Sequence, residues 1–395
     1  MRNQPWPLLA MTCFVQMTAF VIRPTSAYRA LELGINPAWL GVIAAAFAVL
    51  PLTVAAYAGH LADRGNERAS LLFGAGFVLV AAIGLLTWSS SLTALLIWNA
   101  LLGVGHIVAG VGQQTLVARG DPSRADENFG MYTFAGSLGQ TMGPVLLTFF
   151  GGSSMLPDTR ILFITALICA VVTVVFSLVA SWRAGVGARS ADTPRGTMRA
   201  ALRTSPGIRK QLFGAIAVSM VILAAIDLLS VYLPAWGVES GISAFLVGIL
   251  LSVRSVATML SRLGLGALVR RFGRMNLIIA STLIGAAAIF ALMFSRDVPL
   301  AGVLLAIAGA TLGIGQPLTM AAVSMAAPAG TVGLWLSIRL TGNSLGIVVI
   351  PPVVGAVAGA VGTAGVFGVV SLALVGVAGG AWLGRGPITT EVPDG

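Results

Sequence analysis

Between Pro7 and Leu383 the chain returns again and again to apolar runs of roughly 20 residues, the length that crosses the hydrocarbon core of a bilayer as an α-helix. Charge, proline or glycine clusters close each run. Six fall near Pro7 to Leu31, Pro37 to Leu61, Ser70 to Trp88, Leu92 to Ala118, Phe129 to Phe150 and Ile161 to Trp182. Six more fall near Gln211 to Trp236, Ala244 to Leu268, Met275 to Phe294, Val298 to Ala326, Thr331 to Val357 and Gly365 to Leu383. A soluble domain carries about a quarter charged residues; this chain of 395 residues has 9% charged and 57% hydrophobic. The pattern predicts an all-α integral membrane protein of twelve transmembrane helices with no sizeable extramembrane domain. Its 49 glycines and 18 prolines suit such helices, because neighbouring helices re-satisfy the backbone groups they free.

The net charge of +10 is explained by where the basic residues stand. Arg2, Arg64, Arg68, Arg119, Arg124, Arg270, Arg271, Arg274, Arg385 and the cluster from Arg183 to Lys210 all fall on one side if the N-terminus is inside, and only Arg29, Arg160 and Arg296 fall on the other. This asymmetry predicts an inner (plasma) membrane protein with both termini cytoplasmic, and it accounts for the charge without nucleic acid. The segment after the sixth run, with seven basic residues and Pro194 and Pro206, reads as a solvated linker. The expected organisation is an N-terminal six-helix bundle over 1–182, a cytoplasmic linker over 183–210, a C-terminal six-helix bundle over 211–384 and a cytoplasmic tail over 385–395. The first run lacks an Ala-x-Ala cleavage pattern and reads as a retained helix. Cys13 and Cys169 both sit in apolar runs, which offers no disulfide framework or metal cluster; no cofactor is expected.

The halves are also copies of one another. Gly34-Ile35-Asn36-Pro37 to Gly41 aligns with Gly241-Ile242-Ser243-Ala244 to Gly248, and Gly59 with Gly266. In the fourth helices Leu102-Gly103-Val104-Gly105-His106 aligns with Leu312-Gly313-Ile314-Gly315-Gln316. In the fifth, Gly130, Gly139 and Gly143 align with Gly333, Gly342 and Gly346. An even number of spans per repeat makes the two bundles pseudo-symmetric about an axis along the membrane normal, a layout for rocking around a midplane site.

At this point the chain resembles a twelve-helix member of the major facilitator superfamily, of the drug or metabolite:proton antiporter kind, over essentially its whole length. The residues carrying the resemblance are Gly59-His60-Leu61-Ala62-Asp63-Arg64-Gly65-Asn66-Glu67-Arg68 between helices two and three, with one residue missing before Gly65. The second-half copy, Gly266 to Arg274, has Arg270 in place of the acid. Gly136, Gly139, Gly143 and Pro144 in helix five resemble the antiporter motif, without the two glycines expected after Pro144. Asn99 stands where many relatives carry arginine. The resemblance implies a gate in which Gly59, Asp63, Arg64 and Arg68, with Gly139, Gly143 and Pro144, govern opening. Asp63 would then meet the first turn of helix eleven near Thr331 in the outward-open state. The alternative for Arg64 and Arg68 is a plain solvated loop, and for the glycines ordinary helix packing.

An ionisable side chain at the bilayer centre costs about 3 kcal/mol on insertion scales and marks a functional site. Arg23, Arg254 and Arg339 fall at such depth, and Asp227 is the single acid there; Arg262 lies near a span end and snorkels. Guanidinium binds carboxylate or phosphate bidentately, so Arg23, Arg254 and Arg339 are candidate ligands for an anionic substrate group. Tyr28, Gln113, Tyr232 and Gln316 would orient it; Gln16, Thr25, Gln114, Gln140, Asn343 and Ser344 are further polar residues in the same helices. For every one the alternative is a helix-to-helix bond. Asp227 is the candidate for proton coupling, because a carboxyl group carried between an apolar wall and an arginine takes up and releases protons; the alternative is a fixed ion pair, with Arg254 as the nearest partner in sequence. His106 is a second titratable candidate, with a hydrogen bond across a helix interface as its alternative.

These residues predict a secondary active transporter working by alternating access, coupled to protons, exporting a small organic anion or amphipathic compound, with membrane lipid around a monomer. The rivals are a proton symporter for a neutral or cationic solute and a transport-inactive membrane sensor. Enzyme chemistry is disfavoured: no metal cluster, no Ser-His-acid set at membrane depth and no phosphate-binding Gly-x-x-x-x-Gly-Lys-Ser/Thr are present.

Overall fold

The computed structural model describes residues 6–61, 67–118, 125–183, 206–263, 265–327 and 332–383. They form fourteen α-helices and one 3₁₀ turn at Pro37–Trp39. In the first half these are α1 (Trp6–Glu32), α2 (Leu40–Leu61), α3 (Glu67–Thr87), α4 (Leu92–Ala118), α5 (Ala125–Phe150) and α6 (Thr159–Arg183). In the second half they are α7 (Pro206–Glu239), α8 (Ala244–Ser261), α9 (Leu265–Phe272), α10 (Arg274–Leu292), α11 (Val298–Gly313), α12 (Gly315–Ala326), α13 (Val332–Val361) and α14 (Thr363–Leu383). Eleven spans are long and apolar enough to cross a membrane, with α11 and α12 counted as one broken at Ile314. The remaining long helix, α5, falls outside that count, diluted by Ser137, Gln140, Thr141 and its glycines, and it is walled by α1 and α8. Large apolar side chains such as Phe149, Trp182 and Leu372 remain exposed on the outer surface, as expected where the solvent is lipid.

Two boundaries differ from the sequence reading. Helix α7 begins at Pro206, so residues 206–210 extend a helix instead of ending the linker; proline suits a first helical turn, whose N–H groups have no intrahelical partner. The eighth span ends at Ser261, and Leu265–Phe272 is a separate helix whose Arg270 and Arg271 are exposed; two arginines do not remain in hydrocarbon.

Helices α1 to α6 pack among themselves, as do α7 to α14, and the two bundles meet chiefly through α2 on α13, α5 on α8 and α1 on α7. The duplication is visible in paired details. Gly34 and Gly241 both take φ near +70° (69° and 70°), a conformation glycine adopts without strain. Asn36 and Ser243, two residues on, both cap the following helix, accepting from the Ala38 and Leu246 amides. Glu32 accepts from the Thr159 hydroxyl at 2.7 Å, and its repeat mate Glu239 accepts from the Thr363 hydroxyl at 2.6 Å. Gly139 presses on Cys13 of α1 and Gly342 on Ile216 of α7, while Gly143 and Gly346 face Phe20 and Met220. In the fourth helices the register is one turn off the sequence alignment. Gly103 lies against the Phe47 carbonyl and Gly309 against the Arg254 carbonyl, so Gly103 corresponds to Gly309 and not to Gly313. The sequence favours Gly313 because Leu312 and Gly315 then match Leu102 and Gly105 as well, but packing places Gly309, four residues earlier, in the equivalent position.

We name the side carrying the N-terminal ends of α1 and α7 the linker side, and its opposite the far side. The far side is closed. A Cβ on Gly41 of α2 would lie 2.0 Å from the Pro351 carbonyl oxygen of α13, and one on Gly248 of α8 would lie 2.6 Å from the Thr148 nitrogen of α5. The amides of Ala244 and Phe245 donate across the bundles to the carbonyls of Ser154 and Gly152. In the linker-side half, among the described residues, one hydrogen bond crosses the bundles: Arg262 Nη1 donates to Ser137 Oγ at 2.8 Å.

Candidate functional site

Where α1, α5, α7, α8 and α12 face one another lies a cavity of about 170 Å³. Helix α8 places Arg254, Ser255, Thr258 and Arg262 along it with helical spacing, α5 contributes Ser137, Gln140 and Thr141, α7 contributes Asp227, and α12 contributes Gln316. At its inner end Arg23 Nη1 donates to Asp227 Oδ1 at 2.6 Å, both side chains almost wholly buried (5% and 6% exposed). This pair ties α1 to α7, one bundle to the other. The Arg23 guanidinium also sits 5.1 Å from the centre of the Phe47 ring, a cation–π contact, while its Nε and Nη2 have no hydrogen-bond partner.

The expected neighbour of Asp227, Arg254, is not its ion-pair partner. Arg254 is 3% exposed, and its one hydrogen bond is from Nη2 to the Ser230 hydroxyl at 3.3 Å; its Nε has no partner. Among the described residues no carboxylate lies within salt-bridge distance of it. A buried guanidinium facing a cavity, with Asp227 near it but already paired with Arg23, is incompletely compensated and invites an anion. Repeat symmetry explains the arrangement. Phe47 and Arg254 occupy equivalent positions on α2 and α8, each meeting a glycine of the fourth helix of its bundle. The first bundle has its cation on α1 over an aromatic on α2; the second has it on α8, against a serine on α7.

The remaining arginine is spent inside one bundle. Arg339 Nη2 donates to the Gln316 carbonyl at 3.0 Å, to Gln316 Oε1 at 2.6 Å and to Thr319 Oγ1 at 3.3 Å, and it does not line the cavity. Gln316 does line it, yet its Nε2 donates to the Ser219 carbonyl and its Oε1 accepts from Arg339. Tyr28 is fully buried, its hydroxyl without a partner, and Gln113 is buried on α4; neither borders the cavity. Tyr232 donates to the Pro37 carbonyl at 3.3 Å and belongs to the far-side closure. Tyr28 and Tyr232 lie on helices that do face the cavity, but a helix buried on most of its circumference has polar positions that face its neighbours. His106 rests 5.5 Å from the Phe47 ring, which Arg23 also contacts. Asn99 bonds Ser26 within the first bundle.

Gly59 lies in the last turn of α2; Asp63, Arg64 and Thr331 lie outside the described residues, and the latch expected of them does with them. Arg68 stands in the first turn of α3. Gly139 and Gly143 of α5 face α1 in close contact, and Pro144 sits inside α5. What the sequence reading missed is Arg262, assigned to snorkelling but in fact both a cavity residue and the bond across the bundles, together with Ser137, Thr141, Ser255 and Thr258. The signal was present: 137 and 141 on α5, and 255, 258 and 262 on α8, recur at helical spacing.

With the two bundles, their repeat symmetry and the central cavity in place, comparison decides the family. The Major Facilitator Superfamily model matches residues 8–299 and, in a second match, 215–395. The chain belongs to the Major Facilitator Superfamily. It is a multi-pass membrane transporter, not an enzyme. Solved members share the fold at low identity. A POT family transporter in complex with 5-aminolevulinic acid superposes with a TM-score of 0.77 at 14% identity, covering 95% of this chain and 94% of that one. The nucleoside transporter NupG gives 0.72 at 14%, covering 97% and 99%. A bacterial homolog of the human lysosomal transporter Spinster, inward-facing and occupied, gives 0.75 at 15%, covering 97% of each chain. No curated protein matches the sequence.

Proposed function

We propose that this superfamily member is a proton-coupled transporter of a small organic anion or anionic amphiphile, set in the inner membrane with its linker side cytoplasmic. The observation that carries the reading is Arg254, a buried cation on the cavity wall with no carboxylate partner among the described residues. The domain boundaries proposed with it are those read from sequence, with α7 extended back to Pro206.

The geometry bears on the sign of coupling. An anion bound at Arg254 lies beside Asp227 and competes with it for Arg23. A carboxylate displaced from its guanidinium and set beside a bound anion favours its neutral form, so anion and proton strengthen each other's binding. That is co-transport. The antiport expected from the glycines of α5 needs proton and solute to exclude each other, which suits a solute whose own cation occupies Asp227; those glycines instead pack α5 on α1. His106, packed on Phe47 inside the first bundle and off the cavity wall, is left out of the proton path. The experiment is proton counting in weakly buffered solution: the purified protein is titrated with butanoate or benzoate while pH is followed. Net uptake of protons on binding supports co-transport, net release establishes competition and hence antiport, and binding by Arg254→Gln equal to wild type removes the anion site.

A further inference from the structure

The outer, lipid-facing side of the α5–α8 seam carries a second hollow, an apolar groove of about 520 Å³. Its floor is made by small residues, Ser252 and Ala257 on α8 and Ala306 on α11, between walls that include Val145, Phe149 and Val256. Groove and cavity share the same two helices. On α5 one helical stripe changes character as it runs toward the far side: Ser137 and Thr141 line the cavity, then Val145 and Phe149 line the groove, at successive spacings of four. On α8, Ser255, Thr258 and Arg262 face the cavity while Ser252, Val256 and Leu260 face the groove. The far end of the seam is sealed by the close approach of Gly248 to Thr148, and its linker-side half is bridged, among the described residues, by the Arg262–Ser137 bond.

From this we infer that the seam is a lateral portal, and that the solute is a single-chain anionic amphiphile whose head lies at Arg254 and Arg262 while its tail lies in the groove. Three features fix that occupant. The two arginines stand on the linker-side and central part of α8, so the head is placed toward the linker-side surface and the tail toward the far side of it, the orientation such a molecule already has in the linker-side leaflet. No inversion is needed to slide between cavity and leaflet. Arg262 stands at the C-terminal end of α8, where an arginine in a leaflet meets headgroups; an anionic head that takes its guanidinium releases Ser137 and opens the bridge. The groove is apolar throughout apart from two hydroxyls, Thr148 and Ser252, and Ser252 is already satisfied by the Gly248 carbonyl. The inference rests on the proposed anion site at Arg254 for the head; the tail site stands on the groove alone.

The test compares butanoate and decanoate binding to the full chain in lipid nanodiscs, with decanol as an uncharged control and Ala257→Trp and Ala306→Phe as two independent ways of filling the groove. Both substitutions face lipid, where a larger apolar side chain is tolerated. Expected are at least a tenfold tighter binding of decanoate than butanoate in the wild type, loss of that gain in both filled variants, butanoate affinity within twofold of wild type in each, and no competition by decanol. An undiminished gain in the filled variants overturns the portal, as does competition by decanol equal to that of decanoate, which makes the groove a site for bulk membrane lipid. Binding of neither carboxylate overturns the substrate class. Arg254→Gln separates the two readings: if it leaves decanoate and butanoate binding unchanged while the filled variants still abolish the chain-length gain, the head site at Arg254 fails and the tail site survives.

Discussion

Replacing Asp227 by Asn tests whether the central ion pair holds the two bundles in the far-closed arrangement. The substitution keeps shape and removes the one carboxylate within reach of Arg23 among the described residues, whose Nε and Nη2 already lack partners. Stranding a buried charge costs about 3–5 kcal/mol. The cation–π contact with Phe47, 5.1 Å away, is present with or without the carboxylate and offsets none of this. The loss of about 3–5 kcal/mol falls, because the pair joins α1 to α7, on the conformation in which those helices meet. At about 1.4 kcal/mol per factor of ten, the equilibrium moves roughly 140- to 3,700-fold, so a far-closed population of about 99% drops to between about 41% and about 3%. Spin labels at Ser90 and Arg296, exposed far-side positions on opposite bundles, would report this as a new long-distance component, in a background with Cys13 and Cys169 replaced by Ala. The double variant Arg23→Gln with Asp227→Asn strands no charge and is expected to recover most of the loss. A distance distribution identical in wild type and Asp227→Asn refutes the latch and makes the pair a contact common to both conformations.

Other substitutions follow from the same geometry. Gly41→Val drives a side chain into the Pro351 carbonyl; overpacking costs about 1–3 kcal/mol, again specific to far-side closure, so the same labels should show opening while the melting temperature changes less than for Asp227→Asn. Arg254→Gln removes a buried cation with no carboxylate in salt-bridge contact among the described residues, and the melting temperature of the solute-free protein should hold or rise while carboxylate affinity falls at least tenfold; a fall in both marks Arg254 as purely structural. Glu239 accepts from both the amide and the hydroxyl of Thr363 at the start of α14, an anionic cap worth about 1 kcal/mol, so Glu239→Ala should lower thermal stability by that amount, with Glu32→Ala acting in parallel through Thr159. His106→Gln should leave proton uptake on anion binding unchanged, and its loss would return His106 to the proton path.

Much of the architecture was legible in the residues because the physics that writes it is one-dimensional. Span length, basic loops and repeated turn motifs each depend on neighbours along the chain, and Gly34 with Gly241, or Asn36 with Ser243, could be matched before any contact was known. The site was legible only as an inventory. Arg23, Asp227 and Arg254 could be singled out by depth, but which of the two arginines holds the carboxylate depends on how α1 is rotated against α7, and an aperiodic apolar helix carries no signal for that rotation. The same ambiguity hid Arg339, whose partners Gln316 and Thr319 are on α12, and Arg262, whose partner Ser137 is in the other bundle.

The divergence of the two repeats then acquires a physical meaning. Where the scaffold matters, the copies keep the same device: glycine at the turn, glutamate under a threonine, glycine against the neighbouring helix. At the centre they do not. Equivalent positions hold Phe47 in one copy and Arg254 in the other, so the single acid, Asp227, has to choose between a cation in its own bundle and one across the interface. It pairs across; on the proposed function this leaves the cation of its own bundle to meet a solute and makes the inter-bundle bond the one that a solute or a proton breaks. Had Asp227 paired with Arg254, both charges would lie within one rigid body, and neither binding nor protonation would bear on the angle between the two. Moving the acid tests the point: in Asp227→Asn with Ser230→Asp, at the α7 position whose hydroxyl already accepts from Arg254, a carboxylate that pairs with Arg254 should abolish anion binding and uncouple protonation from the far-side distances, whereas retained coupling would show that the cross-bundle placement of the bond is not what links them.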